Sequence, residues 1–169
     1  MEYCIDTDVY TQAHRSYYAF DIAPPFWNAL VTFAQKGTII SPIAVYDELM
    51  EGKDDLKQWA KDHRKILFIE PDSKVNEAYR HVAEFANKRY HDQHWIRDFL
   101  KGADPWVIAQ AKAQNLTVVT MEGVKQAENV NKSSGRFIGK IKIPNVCDHF
   151  GIKSISTYEL LRALKIELR

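Results

Sequence analysis

The sequence lacks the features that define several classes of protein. Its 169 residues contain two cysteines, Cys4 and Cys147, and both lie inside apolar runs. Two cysteines do not make a disulfide framework, so we expect buried thiols in a reducing compartment. No run of 18 apolar residues is present, which argues against a membrane-spanning helix. The first residues carry Glu2 and an apolar run rather than a basic stretch, which argues against a signal peptide. We therefore expect a cytoplasmic protein.

An excess of charge of one sign is also lacking. The chain has 23 basic and 22 acidic residues, for a net charge of +1. Any attraction to nucleic acid must therefore come from local clusters of basic residues. The hydrophobic fraction of 46% and the charged fraction of 27% are ordinary for a globular protein. The length predicts one domain over residues 1–169, with a helical segment at about 53–101 and a basic loop at about 123–142.

Short apolar runs alternate with stretches of helical periodicity. The runs predict strands at residues 3–5, 38–40, 66–69, 116–119 and 152–155. Helix starts are indicated by Ser41 and Asp104, each followed by proline, and by the Ser156…Glu159 capping box. Short strands separated by helices predict an α/β fold with a mostly parallel sheet.

Acidic residues follow two of the predicted strands. Asp6 comes after the first strand and Glu122 after the strand at 116–119. The carboxyl ends of parallel strands share one edge of a sheet, so these side chains are expected to meet there. Asp104 joins them if its helix starts at the same edge. Taken singly, Asp104 could be a helix N-cap, Asp6 a turn residue and Glu122 a loop residue; the combination carries the argument.

A fourth acid is expected on the helix that follows Pro42. Val45 and Leu49 form an apolar pair at helical spacing, and Glu48 and Asp47 lie on the two rims of that apolar stripe. Periodicity does not choose between these two acids.

Carboxylates that are packed together repel each other, and a divalent metal relieves the repulsion. Oxygen ligands suit Mg²⁺ or Mn²⁺, which bind through a few carboxylates, water and substrate phosphate. Such an ion activates water and stabilises charge on phosphorus. The pattern therefore predicts phosphodiester hydrolysis without a nucleophilic side chain.

Four segments resemble motifs of the PIN-domain superfamily of ribonucleases. They are residues 3–7 (YCIDT), 41–49 (SPIAVYDEL), 102–111 (GADPWVIAQA) and 118–122 (VVTME). Within the superfamily the chain is most similar to a bacterial PIN-like group of about this length, long described as a domain of unknown function (DUF4411-like). It shares with that group the stretch at 142–147 (KIPNVC).

This resemblance implies a three-layer α/β/α sandwich and a Mg²⁺- or Mn²⁺-dependent endoribonuclease. It selects Glu48 over Asp47 and makes Asp6, Glu48, Asp104 and Glu122 the metal ligands and catalytic acids. It also implies a VapC-like toxin with a cognate antitoxin, and a homodimer. Glu122 departs from the pattern, because the fourth acid is often aspartate.

Two hydroxyl side chains and a basic stretch complete the predicted site. Thr7 and Thr120 are expected to hydrogen-bond the carboxylates or a metal-bound water, although each alone could be a turn residue. The loop at 123–142 is expected to bind RNA phosphates through Lys125, Lys132, Arg136, Lys140 and Lys142. The alternative is a mobile, solvated loop.

Aromatic residues offer a weaker signal. Four tryptophans at positions 27, 59, 95 and 106 could stack on bases, but tryptophans at helical spacing more often belong to a core. The sequence thus predicts an endoribonuclease acting on RNA. A catalytically inactive PIN-fold binding or scaffold module is the main alternative, and a DNA nuclease of related fold is a third.

Overall fold

Five short strands form the central sheet of the protein. The computed structural model describes residues 2–123 and 126–168. The sheet strands are β1 (Tyr3–Ile5), β2 (Ile39–Pro42), β3 (Phe68–Ile69), β4 (Thr117–Val119) and β7 (Ser154–Ile155). A separate hairpin consists of β5 (Asn129–Val130) and β6 (Phe137–Ile138), which are antiparallel.

Ten α-helices surround or follow these strands. They are α1 (Thr7–Gln12), α2 (Pro24–Gln35), α3 (Ile43–Glu51), α4 (Asp55–Asp62), α5 (Arg64–Leu67), α6 (Ser73–Arg89), α7 (Gln93–Lys101), α8 (Asp104–Gln114), α9 (Ile143–His149) and α10 (Thr157–Ala163) in the described residues. A π-helical turn at Ala13–Tyr17 continues α1. No helix in the described part of the chain is both long and apolar enough to cross a bilayer.

The strand order β3-β2-β1-β4-β7 explains how the layers form. All four strand pairings in this sheet are parallel. The chain moves outward from β1 through β2 to β3 and then crosses to β4 on the other side of β1. Right-handed crossovers therefore place the later helices on the opposite face from the earlier ones. This arrangement confirms the predicted three-layer α/β/α sandwich.

Burial follows from this layering. Ile5, Ile39, Val118 and Val119 are fully buried in the inner strands, because helices cover both faces. Helix α8 packs against β1, β2 and β4, and α6 packs against α8. The two cysteines are free and buried, as expected, and the Cys4 thiol lies 3.6 Å from the Val107 carbonyl oxygen of α8.

The structure corrects three boundaries that the sequence predicted. The first two residues of 66–69 are helical, since α5 runs to Leu67, and only Phe68 and Ile69 form β3. Ser41 does not cap α3; it is buried in β2 and donates a hydrogen bond to the Ile5 carbonyl. The N-cap of α3 is Pro42 instead. Asp104 is the first residue of α8 rather than its N-cap, so its side chain is free for another role.

Candidate active site

The site begins where the two central strands end. β1 ends at Ile5 and β4 at Val119, and the Asp6 backbone N–H donates to the Val119 carbonyl at 3.0 Å. Asp6 and Thr120 are therefore neighbours, and the Thr120 hydroxyl donates to Asp6 Oδ2 at 3.0 Å. β1 leads into α1, whereas the next strands after β4 are those of the hairpin. This is the switch point of the sheet, where α/β proteins form their ligand crevices.

Asp6 has a structural task as well as a place in the site. Its side chain accepts a hydrogen bond from the Thr7 backbone N–H at 2.7 Å and caps α1, whose start the sequence did not predict. The residue is only 3% exposed. Burial, followed by the nearby Asp8 and Asp104 carboxylates, holds the pKa of Asp6 well above its ordinary value. The raised pKa reflects a buried carboxylate surrounded by other carboxylates.

Asp8 belongs to this cluster although it was not among the predicted site residues. Its two carboxylate oxygens each lie 3.0 Å from the Met121 backbone N–H, which donates to them. The Thr120 hydroxyl also lies 3.3 Å from Asp8 Oδ2. A signal was present in the sequence, because Asp8 stands two residues after Asp6 at the same strand end. Only the short helix α1 shows that both side chains turn toward β4.

Glu48 joins the site from α3, as the resemblance implied. Its Oε2 accepts a hydrogen bond from the Thr7 hydroxyl at 2.5 Å, and its Oε1 accepts one from the Ala103 backbone N–H at 2.7 Å. These bonds tie α3 to the starts of α1 and α8. Asp47 is exposed and makes no such contact among the described residues. The predicted roles of Thr7 and Thr120 as hydrogen-bonding partners of carboxylates agree with this geometry.

Asp104 is the least constrained of the acids. Within the described residues, no group donates a hydrogen bond to its side chain, which lines a cleft of about 200 Å³ together with Glu48 and Lys140. Burial, then the Glu122 and Glu48 carboxylates, raise the pKa of Asp104 from 3.8 to about 7, against an opposing effect of Lys140. Added positive charge stabilises the ionised form of a carboxyl group whose pKa is raised in this way.

Glu122 lies near the other acids but is held by the protein. Its Oε2 accepts a hydrogen bond from the Ile143 backbone N–H at 2.7 Å, at the start of α9. Its Oε1 pairs with the Lys142 ammonium at 3.4 Å. Its charge still reaches its neighbours, since it contributes to the raised pKa of Asp104 and of Cys147, whose pKa is about 12 mainly because of burial.

The five acids suit a hard divalent cation in the type of their donor atoms, because all are carboxylate oxygens. No group of three or more potential ligand side chains in the described residues is already arranged around one point. Mg²⁺ commonly binds through one or two carboxylates and retains water for the rest. Asp104, which is free of hydrogen bonds from described residues, fits that mode of binding together with Asp6, whose pKa the Asp104 carboxylate helps to raise. Glu48 and Glu122 are bonded to backbone N–H groups, and their carboxylates raise the pKa of Asp104 more than Asp8 does.

The predicted RNA-binding residues do not all lie together. Lys140 lines the cleft, and Lys142 pairs with Glu122. Arg136 instead donates to the carbonyls of Asn87 and Lys88 at the end of α6. Lys132 is exposed on the hairpin. Lys125 lies outside the described residues. The structure thus brings two of the five to the acids.

The hairpin is docked on the helical segment and thereby positions Lys140. The His91 backbone N–H donates to the Phe137 carbonyl at 2.8 Å, and the Gly139 N–H donates to Asp92 Oδ2 at 2.8 Å. The Tyr90 hydroxyl also donates to Glu128. Within the predicted basic loop, residues 126–142 therefore contain a hairpin that is bonded to the helical segment and a following stretch that reaches the cleft.

Fold and site together define an α/β protein with an acidic cleft at the switch point of a parallel sheet. The family model for DUF4411, a domain of unknown function, matches residues 3–168, so the chain belongs to that family. The chain is also similar to one in the crystal structure of VapBC2 from Rickettsia felis bound to a DNA fragment from their promoter. That similarity has 18% identity and a TM-score of 0.48 and covers 92% of this chain and 98% of the other. No curated protein matches the sequence.

Proposed function

We propose that the protein is a metal-dependent endoribonuclease that hydrolyses RNA phosphodiester bonds with the help of Mg²⁺ or Mn²⁺. The observation that carries the proposal is the convergence of Asp6, Asp8, Glu48, Asp104 and Glu122 on one edge of the sheet. These acids come from four separate segments of the chain, and a cation would relieve their mutual repulsion. The resemblance of four sequence segments to PIN-domain nucleases supports RNA as the substrate.

In this proposal Asp104 and Asp6 would hold the ion, and Asp8, Glu48 and Glu122 would contribute directly or through water. The bound ion would supply an activated water and charge stabilisation at phosphorus. Thr7 and Thr120 orient the carboxylates through the hydrogen bonds described above. Lys140 neutralises part of the charge in the cleft and is placed to attract a phosphate.

Two substitutions test the proposal with a control on the same surface. Asp104→Asn and Asp6→Asn should abolish Mg²⁺- or Mn²⁺-dependent cleavage of RNA, measured by gel electrophoresis of an end-labelled substrate. Asp47→Asn, at an exposed acid next to Glu48, should cleave as the wild type does. Retention of full cleavage by both Asp6 and Asp104 variants would reject the assignment. Parallel reactions with single-stranded RNA, structured RNA and DNA test the substrate class and the DNA-nuclease alternative.

One observation favours a second candidate, a catalytically inactive binding or scaffold module. The described acids are largely engaged with protein groups, and no three of them already surround one point. Calorimetric titration with MnCl₂ separates the two candidates. A heat of Mn²⁺ binding that is measured for the wild type and absent for Asp104→Asn supports the nuclease. Absence of Mn²⁺ binding supports the module.

The partner assignments rest on the resemblance of the sequence to PIN-type toxins. We propose that a cognate antitoxin protein inhibits the enzyme, that the enzyme forms a homodimer and that it acts in the cytoplasm. Expression in a bacterial host should then arrest growth, and Asp104→Asn should relieve the arrest. Light scattering during gel filtration reports the oligomeric state. Growth that is unaffected by the wild type at the same expression level would contradict the toxin role.

A further inference from the structure

One of the four tryptophans differs from the others in its surroundings. Trp27 is buried, Trp59 packs against the main core, and Trp106 stacks on Tyr79 with ring centroids 4.1 Å apart. Trp95 belongs to neither hydrophobic cluster of the described residues, and it is only partly buried. Its one aromatic neighbour among those residues is His94. Its ring therefore contributes to neither cluster of the core, and its other surroundings define what it can contact.

The position of Trp95 relates it to the acids. Helix α7 presents Trp95, Asp98 and Phe99 on one face at helical spacing, and this face forms one wall of the cleft. Asp104, Glu48 and Lys140 line the same cleft of about 200 Å³. An indole ring, a carboxylate that no described residue hydrogen-bonds and an ammonium group therefore surround one concave space at the switch point.

Charge in the cleft limits how a nucleic acid can bind there. The acids repel phosphate, and Lys140 is the one cation lining the cleft among the described residues. A base carries no charge, so its contact with an aromatic ring is not weakened by the carboxylates. Stacking of bases on aromatic side chains is also tolerant of sequence. Uncharged contact with a base would thus supply affinity where the charges cannot.

We infer that Trp95 is a binding residue on which a nucleobase stacks, next to the phosphate that the acid cluster addresses. The inference rests on the proposed function, which makes that phosphate the one that is cleaved. It implies a nucleotide whose base is unpaired, because a base in a duplex has both faces covered. Phe99 is buried beneath the same wall and supports the helix, whereas Trp95 offers its ring to the cleft.

The test measures binding separately from cleavage. The probe is a fluorescein-labelled single-stranded RNA of mixed sequence, titrated by anisotropy in EDTA at low salt. Trp95→Leu should weaken binding about tenfold, and Trp95→Phe should restore most of the loss. Phe33→Leu is the control, because Phe33 is a partly buried aromatic residue near the end of α2, at the opposite edge of the sheet. Its binding should match the wild type.

Two further readouts distinguish stacking from a structural effect. The salt dependence of binding should keep its slope in Trp95→Leu, whereas Lys140→Gln should reduce the slope by about 0.7. The same RNA annealed to its complement should show no dependence on Trp95. Melting temperatures should be nearly equal in the wild type and the two Trp95 variants, since Trp95 lies outside both clusters.

The outcomes separate this inference from the proposed function. Equal binding of the single-stranded probe by wild type, Trp95→Leu and Trp95→Phe would overturn the inference, and so would absence of binding by the wild type. Cleavage that persists in either case would leave the nuclease intact. Conversely, Trp95-dependent binding without any metal-dependent cleavage would support the base-stacking site at Trp95 and contradict the proposed nuclease function.

Discussion

Replacing Asp104 by asparagine should stabilise the protein at neutral and alkaline pH in the absence of divalent metal. The substitution removes the charge that the Glu48 and Glu122 carboxylates oppose and that burial disfavours. The shape of the side chain is almost unchanged. A group retained at a cost to stability is typical of a functional site.

The pKa of Asp104 gives the sign and the size of this effect. The unfolded chain releases the Asp104 proton near pH 4, whereas the folded protein keeps it to about pH 7. The folded state therefore binds more protons between these values, and its stability falls as the pH rises from about 4 to about 7. At about 1.4 kcal/mol per pKa unit the full effect is about 4 kcal/mol. We expect the variant to recover about 1–3 kcal/mol above pH 7, because the buried amide also lacks partners.

Urea denaturation followed by circular dichroism at pH 5 and pH 8.5, in EDTA, measures this difference. The stabilisation by Asp104→Asn should be larger at pH 8.5, and Asp47→Asn should show no such pH dependence. Addition of MnCl₂ at pH 8.5 should then stabilise the wild type and reverse the order, since a ligand at 100 times its Kd contributes about 2.7 kcal/mol. A variant that is equally destabilised at both pH values would refute the reasoning about repulsion.

Three other substitutions have defined outcomes. Gln110 is fully buried in α8, and neither its Oε1 nor its Nε2 has a partner among the described residues. Gln110→Met should therefore raise the free energy of unfolding by about 1–2 kcal/mol, measured by urea titration. A Cβ at Gly102 would lie 3.2 Å from Glu48 Oε1, so Gly102→Ala should lower the rate of RNA cleavage severalfold while the melting temperature changes little. Tyr90→Phe removes the hydrogen bond to Glu128 that helps to dock the hairpin, so limited proteolysis should cut the hairpin faster than in the wild type. Unchanged stability, unchanged cleavage and unchanged proteolysis, respectively, would contradict these expectations.

The order and type of the main elements could be read from the sequence because their signals are local. The apolar runs at β1 and β4 are buried on both faces, which leaves a continuous hydrophobic pattern. The Ser156 capping box is present as predicted, with reciprocal bonds between Ser156 and Glu159. The predicted ends of helices and strands were less accurate where a side chain could form either of two kinds of hydrogen bond. Ser41 has the side chain of a helix cap, but its hydroxyl bonds to Ile5 and Tyr10 in the core.

The sequence predicted which residues form most of the candidate site better than it predicted the contacts that each residue makes. Asp6 and Glu122 follow strands, and strand ends meet in a parallel sheet, so their proximity followed from the pattern. The choice of Glu48 over Asp47 came from a resemblance, since both acids flank the same apolar stripe. The part played by Asp8 was missed, because it depends on the Met121 N–H donating to it across two strand ends.

The sequence by itself determined the parallel α/β architecture and a set of acids at strand ends and helix starts, since both depend on spacing along the chain. Only the tertiary structure decided how those acids are engaged. Glu122 is held by α9, Glu48 is held by Ala103, and Asp104 is left unbonded by the described residues. It also decided that Trp95, alone among the tryptophans, lines the cleft. These outcomes depend on which helices pack beside one another, and that packing joins residues that are distant in sequence.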